Sequence, residues 1–313
     1  SVERLGAGDT PWLPRDPLWY REVHPQLPCR HHALPIRVPL ALRALHEIQY
    51  HACNALNPLA YASYRTHRQH VAAFEGLGFA RRFAAMPWTA WHDARRLEAL
   101  LCARRPYFLL PLQLNGDAQI VHNSPFADVA EVIALVLRSF AAHAPSGSHL
   151  VIKNHPLDAG LFAHRRLVER LSTEFDLRSR VHYVETAHLP TLLAQARGTV
   201  VVNSTVGMSA LSQRCPTKTL AQPIYDMPGL TSRAPLDLFW RHPEAPDAAL
   251  YRALHDTVIH STQVNGDFVT RRGMALAGTG CERMFGPVSP LEQLIRRHGM
   301  PDDVGACPRA LAA

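Results

Sequence analysis

Residues 198–211 read GTVVVNSTVGMSAL, and the rest of the chain is organised around this stretch. The β-branched run from Thr199 to Val202 is typical of a strand buried on both faces. Polar residues 203–205 follow, and a short helix is predicted over 207–214, with Pro216 ending it. A strand, a polar turn and a helix in this order build a ligand crevice in open α/β sheets, where free N–H groups at the helix start suit a phosphate. The alternative is a buried strand followed by an Asx or Ser turn that binds no ligand.

A second strand ends in the same way. Residues 149–156 read HLVIKNHP, an apolar run that finishes in Lys153, Asn154, His155 and Pro156. Parallel strands that both end in polar or cationic residues place those residues along one edge of the sheet. A Lys and a His at that edge can donate charge-assisted hydrogen bonds to phosphate or carboxylate oxygens. The alternative is a His–Pro pair that only ends the strand.

Strands and helices alternate through this part of the chain. Strands are predicted over 149–154, 181–185, 199–203 and 217–221, and helices over 160–175, 189–197 and 207–214. This alternation is typical of βαβ units. Residues 145–225 are therefore expected to form a Rossmann-like parallel sheet covered by helices on both faces.

An earlier strand begins the segment YFLLPLQLNGDAQI, residues 107–120. Pro111 indicates an edge strand or the end of a strand. The Asn115–Gly116 pair favours a hairpin-like turn in which Asp117 is simply solvated. After it, Ser124 and Pro125 are suited to cap and begin a helix with a one-sided apolar stripe.

The flanking regions carry weaker patterns. Residues 1–35 are rich in Pro and Trp and are expected to be irregular, whereas 36–101 show a helical pattern punctuated by Pro58 and Pro87. The last 40 residues carry little pattern. Because the chain starts at Ser1 rather than Met, we expect it to be a fragment of a longer sequence.

The charge composition of the chain limits the kinds of binding partner that we expect. The net charge of +7 in 313 residues predicts an anionic substrate, a nucleic acid or an anionic membrane surface. The basic residues fall in scattered Arg pairs, each interpreted as a solvated helix face, and no run is dense enough for a nucleic-acid-binding arm. We therefore expect no nucleic-acid partner.

Neither a metal centre nor a disulfide framework is predicted. The six cysteines are far apart without a CxxC pair, which favours reduced cytosolic thiols. The 19 histidines include no HExxH motif, and His67 and His70 have the wrong spacing for one. No signal peptide is evident, and the longest apolar runs are too short to span a membrane.

Four segments in one order carry a family resemblance: HLVIKNHPLDAG, GTVVVNSTVGMSAL, QPIYDMPGLT and TQVNGDFVT. From about Phe108 to Gly273 the chain resembles bacterial capsule proteins of the KpsS/LipB type. The resemblance implies a GT-B-like glycosyltransferase that transfers β-Kdo, with retention, from CMP-Kdo to a lysophosphatidylglycerol-type lipid. It also implies three regions: 1–105, the remainder of an acceptor-side domain; 106–273, a Rossmann-like CMP-Kdo domain; and 274–313, a C-terminal tail.

The resemblance also implies roles for particular residues. Asp117 matches the position of a carboxylate nucleophile, and His155 with Lys153 would stabilise the phosphate of the departing CMP. The acid–base partner of Asp117 is expected in the N-terminal portion of the family that precedes this chain, and no metal or cofactor is implied. The expected substrate-binding residues are Gln113, Gln119, Lys153, Pro156, Asn203, Ser204, Thr205 and Gly207.

Two other functions stay open. One is a non-catalytic accessory protein for capsule polysaccharide export, and the other is a GT-B enzyme that uses a UDP-sugar. Under the transferase reading the protein is cytoplasmic and peripheral at the inner membrane, near anionic lipid. The capsule ABC transporter and a second Kdo transferase are then its expected partners.

Overall fold

The chain divides into two compact units. The sheet unit comprises residues 49–226 and 230–246, and the terminal unit comprises 1–48, 227–229 and 247–313. The functional domains predicted at 1–105, 106–273 and 274–313 do not coincide with these units, and they stay a prediction. The structure is a computed structural model that describes residues 13–27, 38–39, 42, 45–46, 48–50, 52–54, 72–284 and 286–300.

Five parallel strands form the sheet: β1, Tyr107–Pro111; β2, His149–Lys153; β3, Val181–Val184; β4, Gly198–Val201; and β5, Thr217–Thr219. Their order is β3-β2-β1-β4-β5, and every neighbouring pair is parallel. Strands β2 to β5 each end one or two residues earlier than predicted. The prediction of an α/β fold with a Rossmann-like parallel sheet is confirmed.

Helices lie before, between and after the strands. Among the described residues, no helix is both long enough and apolar enough to cross a membrane. They are α1, Pro17–Val23; α2, Ala72–Cys102; α3, Ala118–Val121; α4, Val129–His143; α5, His164–Glu174; α6, Leu189–Gln195; α7, Val206–Ser212; α8, Leu236–Phe239; α9, Ala248–Thr262; α10, Arg271–Met284; and α11, Pro290–His298.

Alternate residues of β1 build two separate cores, because successive side chains of a strand point to opposite faces. Phe108 and Leu110 pack in the core that includes α4, α5 and α8. The ring of Phe108 meets that of Trp240 edge to face at 5.0 Å. On the other face, Tyr107 and Leu109 pack in the core that includes α2, α6 and α7. Helix α2 is therefore part of the sheet unit.

The chain around β1 meets one expectation and differs from another. Pro111 is the last residue of β1, the second of its two predicted positions, while β1 itself is the central strand and not an edge, since β2 and β4 pair with it on either side. Proline is tolerated there because the ladder ends at that residue. The Asn115–Gly116 turn forms no hairpin: it leads into α3, whose N-cap is Asp117.

Two helices also differ from expectation. Pro87 lies inside α2 and does not end it. The helix has tertiary contacts on both sides of the proline, since Arg82 donates to carbonyls of the loop after β2 and Leu97 and Leu100 pack in the sheet core. Helix α4 begins at Val129, where Asp128 accepts from the amide of Glu131 at 3.0 Å. Ser124, expected to be the cap, donates instead to the carbonyl of Ile120 at 2.6 Å.

The terminal unit contains structure where the sequence predicted little. The Pro- and Trp-rich start includes α1, whose Trp19 ring nitrogen donates to the carbonyl of Gly299 at 3.0 Å. Arg21 pairs with Asp247, the N-cap of α9, at 2.5 Å. Helices α10 and α11 occupy much of the C-terminal region. Their short apolar faces depend on tertiary packing, which explains why the local pattern was weak.

Near the amino ends of β2 and β3, the buried His149 stacks on the half-buried His182. Nδ1 of His149 lies 3.0 Å from Nε2 of His182, and the rings are 5.2 Å apart. Burial, the neighbouring His149 and the cation of Arg96 lower the pKa of His182 to about 4. Burial, with Arg105 and Arg180, also lowers the pKa of His149. Both rings are therefore neutral in the folded protein at pH 7.

The lowered pKa values of His149 and His182 predict that the protein loses stability in mild acid. A histidine whose pKa is depressed by folding takes up a proton more readily when unfolded, so the free energy of unfolding falls as pH drops from about 6.5 towards 4. His182→Gln should make this dependence shallower in urea unfolding followed over that range. The exposed His188 offers a matched control, and His188→Gln should leave the slope unchanged. An identical slope for all three proteins would contradict the assignment.

Candidate active site

The polar residues predicted at the strand ends meet at the carboxyl edge of the sheet. Lys153, the last residue of β2, pairs in register with Pro111, the last residue of β1. On the other side of β1, β4 ends at Val201 and leads into Asn203. Because β1 lies between β2 and β4, the segments that follow these three strands are neighbours. We name Gln113, Asp117, Lys153, His155 and Asn203 the strand-end cluster.

Gln113 joins the segments that follow β1 and β4. Its side chain is only 8% exposed, and its amide nitrogen lies 3.3 Å from Oδ2 of Asp117 and 3.3 Å from Oδ1 of Asn203. The amide nitrogen of Asn203 donates to the carbonyls of Gln119 and Asn123, at 2.7 and 3.0 Å. Both amides thus hold the turn that carries Asp117 against the end of β4.

Asp117 has a structural role at the start of α3. Its Oδ1 accepts from the backbone amide of Gln119 at 2.9 Å, and its Oδ2 accepts from Gln113. Gln119 contributes only backbone groups to these contacts, and its side chain is exposed. A carboxylate has about four acceptor sites, so two hydrogen bonds leave capacity for a further partner. The carboxylate is half-buried and positioned from both sides.

His155 presents a defined N–H donor. The backbone amide of Leu157 donates to its Nδ1 at 3.1 Å, so the neutral ring carries its proton on Nε2. Burial and the neighbouring Lys153 ammonium lower the pKa of His155, while Asp117 and Asp158 act in the opposite direction. The ring is therefore neutral at pH 7 and can donate through Nε2–H.

Lys153 places a cation at the same edge. The side chain is 8% exposed, and its Nζ donates to the carbonyl of Asn154 at 3.2 Å. Burial and the nearby Arg82 lower its pKa, and Asp93 opposes that shift. A buried ammonium is stabilised by an anionic partner, so this position favours a negatively charged ligand.

Arg82 was missed by the sequence analysis, which interpreted the Arg81–Arg82 pair as a solvated helix face. Its Nη1 instead donates to the carbonyls of His155 and Pro156, at 3.1 and 3.3 Å, and to that of Asp158. Its Nε lies 3.5 Å from the Glu185 carboxylate. No local signal separates Arg82 from Arg81, because the contacts come from residues more than 70 positions away.

A second contact from α2 holds the end of β3. The Asp93 carboxylate is 2% exposed and accepts from the backbone amides of Glu185 and Thr186, both at 2.8 Å. Within the loop after β2, Asn154 accepts from the amide of His155 at 2.8 Å and donates to Asp158 at 2.9 Å. Helix α2 and Asn154 thus fix the backbone that carries His155, whereas Pro156 is exposed.

The turn after β4 requires a glycine. The hydroxyl of Tyr225 donates to the carbonyl of Ser204, and the ring lies so close that a Cβ at Gly207 would overlap it. The hydroxyl of Ser204 accepts from the amide of Val206 at 3.2 Å. Thr205 is exposed and makes no side-chain cap for α7. Tyr225 belongs to QPIYDMPGLT, and no signal in the sequence assigned it to this turn.

The structure thus brings together most of the site residues predicted from the sequence, although their exposure and contacts differ. Asp117, Lys153, His155, Gln113 and Asn203 form the strand-end cluster, while Ser204, Thr205 and Gly207 form the adjacent turn. The contribution of Gln119 is through its backbone, and Pro156 lies on the exposed side of its loop. Among the described residues, no three His, Cys, Asp or Glu side chains are grouped as metal ligands.

Known proteins resemble this chain over most of its length. Residues 1–269 match the family model described as "Capsule polysaccharide biosynthesis protein". The chain is 33% identical over 266 residues to the capsule polysaccharide export protein KpsS of Escherichia coli, covering 85% of this chain and 68% of that protein. It is 32% identical over 281 residues to the capsule polysaccharide modification protein LipB of Neisseria meningitidis serogroup B, covering 87% and 66%. It thus spans about two thirds of each relative's length.

Two solved structures share a looser likeness. The beta Kdo 2,7 transferase KpsC of Thermosulfurimonas dismutans is 20% identical, with a TM-score of 0.34, over 58% of this chain and 57% of that one. The pneumococcal O-GlcNAc transferase GtfA is 11% identical, with a TM-score of 0.31, over 49% and 33%.

The contacts of Arg82 predict a local effect. Arg82→Ala should leave three carbonyls of residues 155–158 without this donor, at a cost of about 1.5–3 kcal/mol for hydrogen bonds to a charged group. Backbone amides in that loop should then exchange with solvent about 10- to 100-fold faster in hydrogen-exchange mass spectrometry. Arg81→Ala changes an exposed neighbour and should leave the exchange unaltered. Equal effects of the two substitutions would show that Arg82 does not brace the loop.

Proposed function

This chain belongs to the capsule polysaccharide biosynthesis family, and from that premise we propose that it is a retaining β-Kdo glycosyltransferase. The donor is CMP-Kdo, and the acceptor is a lysophosphatidylglycerol-type lipid. One observation carries the proposal: the buried Lys153 ends β2 and the neutral His155 follows in the next loop, while the neighbouring β1 leads to the half-buried carboxylate of Asp117. The observation supports the proposal because a departing phosphate needs hydrogen-bond donors beside the carbon that a nucleophile attacks.

The leaving group sets the role of the loop after β2. Breaking the bond between the sugar and CMP leaves negative charge on one phosphate, which Nε2–H of His155 and the ammonium of Lys153 stabilise. Because CMP departs with a single phosphate and not a diphosphate, these donors suffice without a metal ion in the proposed reaction. The contacts of Arg82 keep the loop carbonyls turned away from the anion.

Asp117 acts as the nucleophile in this proposal. A carboxylate oxygen bonds to the anomeric carbon as the bond from that carbon to the CMP phosphate oxygen breaks, and CMP departs with the electron pair. A hydroxyl of the acceptor lipid then attacks the same carbon, gives its proton to a base and releases the carboxylate. Two displacements at one carbon retain its configuration.

The turn after β4 supports the nucleotide in this scheme. The Asn203 amide is engaged in holding residues 119–123, so its part is to shape the pocket. The exposed hydroxyl of Thr205 and the adjacent backbone are the groups offered to the nucleotide. Gly207 admits Tyr225, which keeps the turn in place. We assign Gln113 and Gln119 to positioning Asp117.

Further partners belong to the same proposal. A lipid acceptor places the protein peripherally on the cytoplasmic face of the inner membrane, where the net charge of +7 favours anionic lipid. The capsule ABC transporter and a second Kdo transferase are the proteins expected to receive or extend the product.

A non-catalytic export accessory is the second candidate. Asp117 caps α3, a role that would retain an aspartate in a protein that only binds the glycolipid. The relative in Escherichia coli is itself named an export protein. Nucleotide binding and transfer chemistry separate the two functions.

Nucleotide preference is the first test. CMP should raise the melting temperature of the protein more than UDP or GDP does. His155→Ala should weaken CMP binding by about 1.5–3 kcal/mol, or about 10- to 150-fold, because one donor to the phosphate is lost. The change in affinity is measured by isothermal titration calorimetry.

His242 provides the matched control. It is exposed and follows Arg241, whose carbonyl accepts from Arg197 just before β4, at the opposite edge of the sheet. His242→Ala should leave CMP affinity unchanged. A thermal shift with UDP and none with CMP would contradict the Kdo assignment and favour an enzyme that uses a UDP-sugar.

Asp117→Asn distinguishes the enzyme from the accessory protein. The amide oxygen can still accept from Gln119, and Asn is as good an N-cap as Asp, although the acceptor for Gln113 is lost. The melting temperature should therefore fall only slightly, and CMP affinity should change little. Transfer of Kdo should be lost, because an amide cannot supply the anionic oxygen that attacks the anomeric carbon. Radiolabelled transfer from CMP-Kdo to the lipid measures this.

Two controls strengthen this test. Asp117→Ala removes the cap as well and should also lower stability by about 1 kcal/mol. Intact-protein mass spectrometry with CMP-Kdo should give a sugar adduct on the peptide containing Asp117, absent in the Asn variant. Wild-type transfer by Asp117→Asn would overturn the nucleophile assignment and favour the accessory function.

A further inference from the structure

One side of α2 exposes a continuous row of apolar and cationic side chains. At 100° per residue, its members fall within an arc of about 100° and extend over about 32 Å of the helix. We call this row the α2 stripe: Phe74, Leu77, Arg81, Ala84, Trp88, Trp91 and Arg95. Phe74, Leu77, Trp88 and Trp91 are 64%, 69%, 66% and 53% exposed. Such a row of large apolar side chains marks an interaction surface.

The stripe lies away from the side of α2 that packs on the sheet. Asp93, Leu97 and Leu100 are buried on that other side, which is centred roughly 150° around the helix. The sheet core therefore does not account for the aromatic residues of the stripe. Substituting them should leave the fold intact.

Both charged members of the stripe, Arg81 and Arg95, are cationic. Of the acidic residues on α2, Glu75 and Asp93 are buried, and the exposed Glu98 lies beyond the C-terminal end of the stripe. The guanidinium of Arg95 lies 4.9 Å from the centre of the Trp91 ring. The stripe thus offers aromatic rings with cations and no exposed carboxylate.

We infer that the α2 stripe is the surface by which this protein docks on an anionic lipid bilayer. Trp side chains favour the headgroup level of a bilayer, and arginines beside them meet lipid phosphates. A protein partner of neutral or basic character would leave Arg81 and Arg95 without an anionic partner, whereas anionic headgroups match both arginines of the stripe. The inference takes from the proposed function only the class of partner, an anionic lipid surface.

Docking through the stripe would bring the candidate site close to the bilayer. Arg82 projects from the same helix to the carbonyls of His155 and Pro156. The stripe and the strand-end cluster are thus joined by one helix within the sheet unit. A lipid acceptor would then reach the site from the surface on which the protein sits.

The test is flotation of the protein with vesicles of phosphatidylglycerol and phosphatidylcholine, compared with phosphatidylcholine alone. Binding should require the anionic lipid. Trp88→Ser/Trp91→Ser should weaken it at least about tenfold, because apolar area at the interface is lost. Arg81→Glu/Arg95→Glu should also weaken it at least about tenfold, because each cation near an anionic surface contributes about 1 kcal/mol, or roughly fivefold.

Arg166→Glu/Arg170→Glu is the matched control. It changes the net charge by the same amount on exposed positions of α5, which packs on the opposite face of the sheet. This variant should bind within about twofold of wild type. Equal weakening by both charge reversals would overturn the inference, because net charge alone would then account for binding.

Fluorescence tests insertion directly. Tryptophan emission should shift to shorter wavelength on vesicles and be quenched by brominated lipids, and the double Trp variant should lose both signals. Raising the salt concentration should weaken binding without abolishing it, since the apolar contacts are not screened. Unchanged vesicle binding by the Trp variant, with a change from dimer to monomer in analytical ultracentrifugation, would instead assign the stripe to a second copy of the chain.

These measurements are independent of the reaction. All variants should keep the wild-type circular dichroism and the CMP-induced thermal shift. A protein that binds vesicles through the stripe but fails the CMP and transfer assays would contradict the proposed function and leave the docking surface standing. The reverse outcome would contradict the docking surface alone.

Discussion

The main-chain ladder of β1 supports the rest of the sheet unit. β1 is paired with β2 on one side and β4 on the other, and its side chains enter the cores on both faces. A parallel strand in this position has no solvent-facing side, so its residues must be apolar until the ladder ends. The polar residues Gln113 and Asp117 therefore follow the end of β1, at the carboxyl edge where the three strand ends are neighbours.

The two opposite sides of helix α2 have different roles. The buried side supplies Arg82 and Asp93, whose ionic groups bind backbone carbonyls and amides after β2 and β3. Charges buried in this way need such partners, and they fix loops that apolar contacts alone would leave free. The exposed side carries the aromatic and cationic stripe. A helix anchored by polar contacts can leave its other side for a partner.

The strand-end cluster combines structural and chemical roles in the same residues. Asp117 caps α3, Asn203 holds residues 119–123, and Lys153 is buried at the end of its strand. A hydrogen bond that positions a carboxylate also removes its freedom to rotate, which favours reaction in a defined direction. Structural contacts at Asp117 are thus compatible with the proposed nucleophile, and they explain why Asn is the informative substitution.

The sequence by itself determined the parallel α/β unit, because β-branched strands with polar ends and intervening helices are local patterns. It also identified Lys153, His155 and Asn203 at strand ends. Only the tertiary structure decided that β1 is central, that Asp117 caps a helix, and that Arg82 binds the loop of His155 while Arg81 faces outward. Adjacent arginines have the same local signature, and their environments depend on residues distant in the chain. Local patterns specify elements and burial, whereas packing alone specifies which distant groups meet.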